Sequence, residues 1–207
     1  VAVGGRTLAN DGIYSELANV PANMKFDFVM LNGVVNDYFA SVATGTLTPE
    51  GTTSFDSTTA IGSLEKLFYE ITSRYPNAEV FYILNFVPNW SSFRKTEYLN
   101  DFVPLAKQAC EKWGVHLLDL VDNPQFLAEF DVTADVHTFD GLHPNKAGFD
   151  VITPYVVSLL EETMCADANV RYQQLSLGDD LSMRFDIAVS GAYADTATVT
   201  ATVDGVT

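Results

Sequence analysis

Cysteine is scarce in this sequence: Cys110 and Cys165 are the only two among 207 residues. Two cysteines cannot build the disulfide framework of a small secreted scaffold, and their separation fits neither the CxxC spacing of a metal site nor that of a redox site. One bridge or two unpaired helix cysteines are both compatible with the sequence, and the unpaired arrangement is favoured.

Basic residues are also few, since 11 Lys and Arg stand against 27 Asp and Glu, for a formal charge of -16. This balance sets up a negative field that repels phosphate backbones and anionic headgroups. We therefore do not expect nucleic acid as a partner.

Long apolar runs are missing as well. No uninterrupted run approaches the roughly 20 residues that a membrane-spanning helix needs, and no charged-then-apolar leader opens the sequence. The sequence predicts no membrane span. The opening "VAVGGRTLA" lies in a hydrophobic segment without an initiator Met, so we expect the chain to be part of a longer modular protein.

What the sequence does have is an ample hydrophobic fraction of 47%, enough for a buried core. Three short apolar segments rich in β-branched and aromatic residues predict buried strands. They are "KFDFVMLNG" (25–33), "AEVFYILNF" (78–86) and "GVHLLDL" (114–120).

Three helices are predicted between and after these strands. Apolar residues recur at steps of three and four from Ile61 to Ile71, a second helix spans 95–113 before Gly114, and a third spans 145–163. Pro154 is expected to kink or divide the third helix. Strands that alternate with helices predict a parallel sheet covered on both faces, a three-layer α/β/α sandwich of the flavodoxin-like type. Its first strand is expected to be absent or supplied by another chain.

The pattern changes after about Asp167, where apolar and polar residues alternate, Thr and Val are frequent and no helical period occurs. We interpret residues 1–166 as the α/β domain and 167–207 as the start of a β-rich, sandwich-like module.

Polar or glycine residues follow predicted strand ends at three places, and in open α/β sheets ligands bind at the carboxyl ends of the strands. Gly4 and Gly5 follow "VAV", Asn36 lies in "LNGVVNDY", and Asp140 and His143 lie in "TFDGLHPNKAGF". Each signal alone has a structural explanation, since Gly-Gly is a common turn, Asn-Asp a common loop pair and Asp-His a common surface hydrogen bond. Their order and spacing, at intervals that fit βα units, favour a shared site.

These three segments resemble the motifs of the SGNH hydrolases, also called GDSL-type esterases and lipases, over about residues 1–163. The resemblance implies that Gly5 donates its backbone N–H to an oxyanion hole, as that family's second block does. It implies that Asn36 in "GVVNDY" donates its side-chain amide there, and that "DGLHP" supplies Asp140 as the orienting carboxylate and His143 as the base. No cofactor is predicted.

The chemistry explains why these residue types are needed. A histidine that takes a proton from a serine hydroxyl needs an acceptor on its other ring nitrogen, and Asp140 is close enough in the chain to be that acceptor for His143. The tetrahedral intermediate places negative charge on the former carbonyl oxygen, which pre-aimed N–H donors stabilise.

The sequence departs from the family at the first block, the Gly-Asp-Ser motif that carries the nucleophile. No segment before Gly5 matches it, so we expect the nucleophile upstream of residue 1. The stretch "LSLGDDLSMRF" (175–185) resembles the motif superficially but has Asp180 where Ser is required, and a strand with a turn is the favoured interpretation. Ser91 and Ser92 follow a predicted strand end and are the least implausible serines of the chain.

Other candidate residues have weaker support. His137, Asp140 and His143 could suggest a metal site, but no third strong ligand is spaced to join them, and no metal is predicted. Trp90, with Phe93 and Tyr98, could line a substrate cleft or pack on its own domain. Two further residues have structural explanations: His116 is predicted to be a core residue and Asp37 a structural hydrogen-bonder.

The sequence thus predicts a serine-type hydrolase of carboxylic esters, with a small-molecule or carbohydrate ester as substrate and small acyl groups such as acetyl favoured. An extracellular or cell-surface location fits its acidic, modular character. The competing hypothesis is a non-catalytic extracellular binding or adhesion module on a hydrolase scaffold, supported by the unmatched nucleophile motif.

Overall fold

The computed structural model describes residues 3–21 and 23–166, with side chains to residue 163, and the backbone of two further strands at 171–177 and 183–188. The chain divides into two compact units, Val1–Ile152 and Thr153–Thr207. The first unit holds every candidate site residue.

The described residues of the first unit form three strands and five complete helices. A sixth helix begins in this unit and continues past its boundary. The strands are β1 (Phe28–Asn32), β2 (Glu79–Leu84) and β3 (His116–Asp119). The helices are α1 (Val35–Phe39), α2 (Ala60–Arg74), α3 (Lys95–Glu97), α4 (Val103–Trp113), α5 (Pro124–Glu129) and α6 (Lys146–Ala166), with a 3-10 turn at Tyr14–Asn19 and a π turn at Tyr98–Phe102. The strands predicted at 25–33, 78–86 and 114–120 and all three predicted helices are therefore confirmed.

The three strands form a parallel sheet in the order β1-β2-β3. In this register Asn32 of β1 lies opposite Ile83, and Leu84 of β2 lies opposite Asp119. The carboxyl ends of the strands therefore share one edge, and the loops that follow them begin there. The prediction of a parallel α/β fold is confirmed.

Helix α2 covers the sheet with an unbroken apolar stripe. Ile61, Leu64, Phe68 and Ile71 are fully buried, at the spacing that the sequence pattern predicts. The Thr59 hydroxyl accepts a hydrogen bond from the Gly62 N–H and caps the amino end of the helix. Burial of four such side chains stabilises the fold by about 2 kcal/mol each.

Helix α4 ends where the sequence predicts. Gly114 adopts a left-handed conformation, with φ at 62°, and its N–H bonds back to the helix. That conformation is cheap only for residues without a Cβ, so the glycine stops the helix and turns the chain into β3.

An aromatic cluster packs under the loop that follows β2. The rings of Tyr38 and Tyr98 lie 5.4 Å apart, those of Tyr98 and Phe102 lie 5.8 Å apart, and Phe93 contacts both tyrosines. The Tyr98 hydroxyl donates a 2.6 Å hydrogen bond to the carbonyl of Asn85, just beyond β2. Phe93 and Tyr98 are thus core residues, and of their two possible roles packing is the one observed.

One expectation from the sequence is wrong. His116 is not a core residue: it opens β3 half-exposed, stacks on Phe81 and pairs with Glu79 through a 2.8 Å contact at Nε2. Its neighbours in the chain are apolar, but it begins an outer strand of the described sheet. Of the two effects expected of Pro154, division does not occur, because α6 is continuous through this residue.

In the second unit, β4 (Arg171–Leu177) and β5 (Met183–Ala188) pair antiparallel, with a register shift between Gln174 and Ser176. The rest of the predicted β-rich module, including Asp180, lies outside the described residues. None of the helices within the described part of the chain is both long enough and apolar enough to cross a membrane.

Candidate active site

Asp140 and His143 form a hydrogen-bonded pair in the loop before α6. The Nδ1 atom of His143 lies 2.8 Å from Oδ2 of Asp140, while Oδ1 of Asp140 accepts the backbone N–H groups of Leu142 (3.0 Å) and His143 (2.9 Å). These bonds to the charged carboxylate, the backbone N–H of His143 first, hold the pKa of Asp140 below its ordinary value of 3.8. Asp140 is therefore ionised at neutral pH and orients the imidazole.

The other nitrogen of the His143 ring lies on the exposed side of the ring. The Nε2 atom makes no hydrogen bond within residues 3–21 and 23–166, and the side chain is 66% exposed. A neutral imidazole whose Nδ1–H is held by a carboxylate presents Nε2 as a proton acceptor. This is the arrangement of a general base.

The loop that carries the pair is held at several points. Buried Thr138 accepts the Gly141 N–H at 2.7 Å, and Gly141 itself needs a φ of 86°. From the β2 side, the Asn89 N–H donates to the Gly141 carbonyl at 2.8 Å, and the Trp90 indole N–H donates to the Asp140 carbonyl at 2.6 Å. Trp90 thus has a role in supporting the loop that the sequence did not indicate.

Asn36 lies in the first turn of α1, directly after β1. Its side-chain Nδ2 donates one hydrogen bond of 2.8 Å to the carbonyl of Arg6, the residue after Gly5. The helix begins after Val34, a buried β-branched residue with φ at 101°, a strained conformation of the kind that persists where the surroundings demand it. The amide of Asn36 is therefore held against the loop that contains Gly5.

Gly5 adopts a φ of 77°, and no neighbouring atom lies within 4 Å of the place where a Cβ would stand. Its N–H donates to no group among the residues that the structure describes. The predicted strand before it includes Val1 and Ala2, which lie outside those residues. Gly5 and Asn36 thus each have an N–H donor without a partner in the described part of the chain.

Asp37, next to Asn36, is a structural hydrogen-bonder, as predicted. Its two carboxylate oxygens accept the N–H groups of Leu8 and Ala9, both at 2.8 Å, and all three residues are buried. Burial raises the pKa of Asp37, and the hydrogen bonds from Ala9 and Leu8 oppose that shift. Asn36 and Asp37 together fix the segment after Gly5 onto α1.

A cavity of about 470 Å³ lies at the carboxyl edge of the sheet. Gly5, Asn36 and His143 all line it. A second cavity of about 390 Å³ shares part of its wall, since Asn36 and His143 line both. The sequence-predicted donors and the predicted base are therefore brought to one place, from three separate segments of the chain.

Sequence reasoning missed two polar pairs in the first cavity. Asn32 and Asn85 exchange amide hydrogen bonds of 2.9 and 3.2 Å across the ends of β1 and β2, and the Arg6 guanidinium pairs with Glu16 at 3.0 Å. Both asparagines also line the second cavity. The rule that ligands gather at strand ends could have found Asn32 and Asn85, because each occupies such an end.

Several candidate residues from the sequence line neither of these two cavities. Ser91 and Ser92 are exposed, and no serine is among the described residues that line either cavity. Trp90 lines neither cavity and is 40% exposed beside Phe39. The ring of His137 accepts the Asp131 N–H at 2.8 Å, and no cluster of three metal-ligating side chains occurs in the described ranges.

Comparison with known proteins identifies the class. The sequence profile of the GDSL-like lipase/acylhydrolase family matches residues 1–151, so this chain belongs to that family and to its esterase and lipase class of hydrolases. The resemblance inferred from "GVVNDY" and "DGLHP" is confirmed.

Solved structures share the fold. A protein from Lactobacillus plantarum superposes with a TM-score of 0.60 at 24% identity, over 76% of this chain and 77% of that one. A protein described as a GDSL-like lipase from Bacteroides ovatus gives 0.54 at 19% identity, over 76% and 68%. A variant of an acetyl-xylooligosaccharide esterase from Geobacillus gives 0.53 at 13% identity, over 75% and 68%. No curated protein matches the sequence at a significant level.

Proposed function

We propose that this protein hydrolyses carboxylic esters by a serine mechanism in which His143 is the general base and Asp140 orients it. The observation that carries the proposal is the convergence of Gly5, Asn36 and the paired His143 on one cavity. An ester hydrolase needs a base and oxyanion donors on either side of one carbonyl group, and these residues supply both.

The steps follow from the chemistry of acyl transfer. His143 takes the hydroxyl proton of a serine as the serine attacks the ester carbonyl, and the imidazolium is stabilised by the ionised Asp140. The N–H of Gly5 and the side-chain amide of Asn36 stabilise the oxyanion of the tetrahedral intermediate. His143 then gives its proton to the departing alcohol, which leaves the acyl group on the serine. Water attacks this acyl-serine ester with His143 again as the base, and the acid is released.

The nucleophile is assigned to a serine of the family's first block, which residues 1–207 do not match. The absence of serine from the described lining of either cavity supports this assignment. The proposed substrate is an acyl ester of a hydroxylated alcohol such as a carbohydrate, because Arg6, Glu16 and the Asn32–Asn85 pair offer partners for hydroxyl groups. The proposed setting is extracellular, where the charge of -16 and a modular chain are common features.

The test is hydrolysis of p-nitrophenyl butyrate by the protein as encoded, including any residues that precede Val1. His143→Ala is expected to lower kcat by about 10²- to 10⁴-fold, because the proton of the nucleophile has no acceptor. The matched control is His116→Ala, whose ring pairs with Glu79 away from both cavities and whose loss leaves kcat unchanged.

Equal turnover by wild-type protein and His143→Ala would remove His143 from the mechanism. A serine-reactive phosphonate that labels Ser91 or Ser92 would overturn the assignment of the nucleophile to the first block. A full-length protein that neither reacts with the phosphonate nor hydrolyses esters would instead support the binding-module alternative.

A further inference from the structure

The second cavity differs in chemistry from the first. Its volume is about 390 Å³, and most of its lining residues have hydrocarbon side chains. They include Ile83, Phe86, Leu120, Leu142, Phe149 and Ile152. The first cavity is more mixed, because Arg6, Glu16 and three glycines line it together with apolar residues such as Ile13 and Met30.

The two cavities meet at the reacting groups. His143 and Asn36 line both of them, as do Asn32 and Asn85. A carbonyl carbon placed between His143 and the amide of Asn36 therefore has a space of mixed polarity on one side and a predominantly apolar space on the other. An ester has two halves, and a hydroxylated alcohol buried among hydrocarbon side chains would lose its hydrogen bonds to water.

We propose that the apolar second cavity, called the acyl cavity from here on, holds the acyl chain of the substrate. It selects chains of about four to eight carbons, longer than the acetyl group that the sequence favours. The proposal rests on the ester hydrolase proposed above.

The volume admits chains of this length. One carbon of an alkyl chain takes roughly the volume of one liquid water, about 30 Å³, so an eight-carbon chain needs about 240 Å³. The rest of the 390 Å³ includes the polar end beside Asn36 and His143, where the ester group itself would lie. An acetyl group would occupy about 60 Å³ and leave most of the apolar wall in contact with water. Exposed apolar wall costs free energy in proportion to its area, so chains that cover it bind more tightly.

Two residues of α6 form the outer wall. Ile152 is half-buried, whereas Phe149 is 56% exposed, so Ile152 borders the interior of the acyl cavity and Phe149 its opening. Ile83 of β2, also half-buried, lines the same cavity. Ile152 and Phe149 are therefore the residues that set the preferred chain length.

The binding of the product acids tests whether the acyl cavity holds alkyl chains, and it requires no turnover. Acetate, butyrate, hexanoate, octanoate and decanoate carry the same carboxylate, so the repulsion by the acidic protein is common to the series. We expect the affinity measured by NMR titration to rise by up to about fourfold for each added methylene up to about eight carbons, and then to level off.

Ile152→Trp fills the cavity and is expected to weaken octanoate binding at least tenfold while changing acetate binding less than twofold. Phe149→Ala, which shortens a side chain that is 56% exposed, is expected to weaken octanoate binding more than butyrate binding. The matched control is Leu127→Trp, which adds the same ring to a side chain that is 53% exposed on α5 and lines neither cavity. It leaves the whole series unchanged.

Equal affinity from acetate to octanoate, or a chain-length series that is unaltered in both α6 variants, would overturn the acyl cavity. If hydrolysis nevertheless depends on His143, that result would leave the proposed function intact. Hydrolysis independent of His143 would remove the proposed mechanism, and the binding series would still decide whether the cavity holds alkyl chains.

Discussion

Asn36 and Asp37 are neighbours in the chain with opposite tasks. The amide of Asn36 reaches the Arg6 carbonyl and faces the cavity, whereas the carboxylate of Asp37 points inward and accepts the N–H groups of Leu8 and Ala9. A buried backbone N–H needs an acceptor, and here one carboxylate serves two. The position of Gly5 therefore depends on a buried residue that lines neither cavity.

Replacing Asp37 tests that dependence. Asp37→Ala leaves the buried N–H groups of Leu8 and Ala9 without acceptors, so we expect the free energy of unfolding to fall by about 2 to 5 kcal/mol. Equilibrium unfolding in urea measures it. Asp150→Ala, which removes an exposed carboxylate paired with Lys146, is the control and should change stability by no more than about 0.5 kcal/mol. Similar losses in the two variants would show that Asp37 does not hold the Gly5 segment.

At the scale of elements, the start of α6 packs very close to the loop that carries His143. Asn145 donates its side-chain amide to the carbonyls of Val136 and Thr138 and accepts the Gly148 N–H at 3.0 Å. A Cβ on Gly148 would stand 2.0 Å from the carbonyl oxygen of His137, so only glycine lets the helix approach the loop. The start of the helix thereby holds the loop that carries His143.

Gly148→Ala is expected to push the helix and the loop apart, which costs about 1 to 3 kcal/mol of stability and lowers kcat as His143 moves. Thermal unfolding and ester hydrolysis, measured on the same samples below the melting temperature, separate the two effects. Gly51→Ala is the matched control, because Gly51 has a φ of 76° with open space around it. It should lose about 1 kcal/mol from backbone strain and keep its kcat. A Gly148→Ala protein with full kcat would show that the close approach does not position the base.

For the whole molecule, the dominant property is charge. A formal charge of -16 on 207 residues sets up a negative field around the protein, and Arg6 lines the first cavity. Such a field lowers the encounter rate of anionic substrates and leaves neutral ones unaffected. The field is screened as the Debye length shrinks from about 30 Å at 0.01 M salt to about 3 Å at 1 M.

Two p-nitrophenyl esters of equal chain length, one neutral and one with a terminal carboxylate, test this. We expect kcat/KM for the anionic ester to be lower at 0.01 M salt and to rise several-fold toward 1 M, because screening removes the repulsion. The neutral ester serves as control and should vary less than twofold. Parallel salt responses of the two esters would show that the net charge does not govern substrate entry.

The sequence by itself determined the parts of this protein whose cause is local. Helix α2 follows from apolar residues spaced for one face, the end of α4 follows from Gly114, and the strands follow from short apolar runs. The Asp140–His143 pair is also local, because its members lie three positions apart in one tight loop. Motifs of this kind are readable because the interacting residues are close in the chain.

Only the tertiary structure decided which distant residues meet. The Asn32–Asn85 pair spans 53 residues, and the acyl cavity takes its wall from β2, the segment after β3, the His143 loop and α6. His116 reads as a core residue because its neighbours are apolar, yet it begins an outer strand and pairs with Glu79. Strand order and register set these contacts, and they depend on the packing of the whole sheet, which no local pattern encodes.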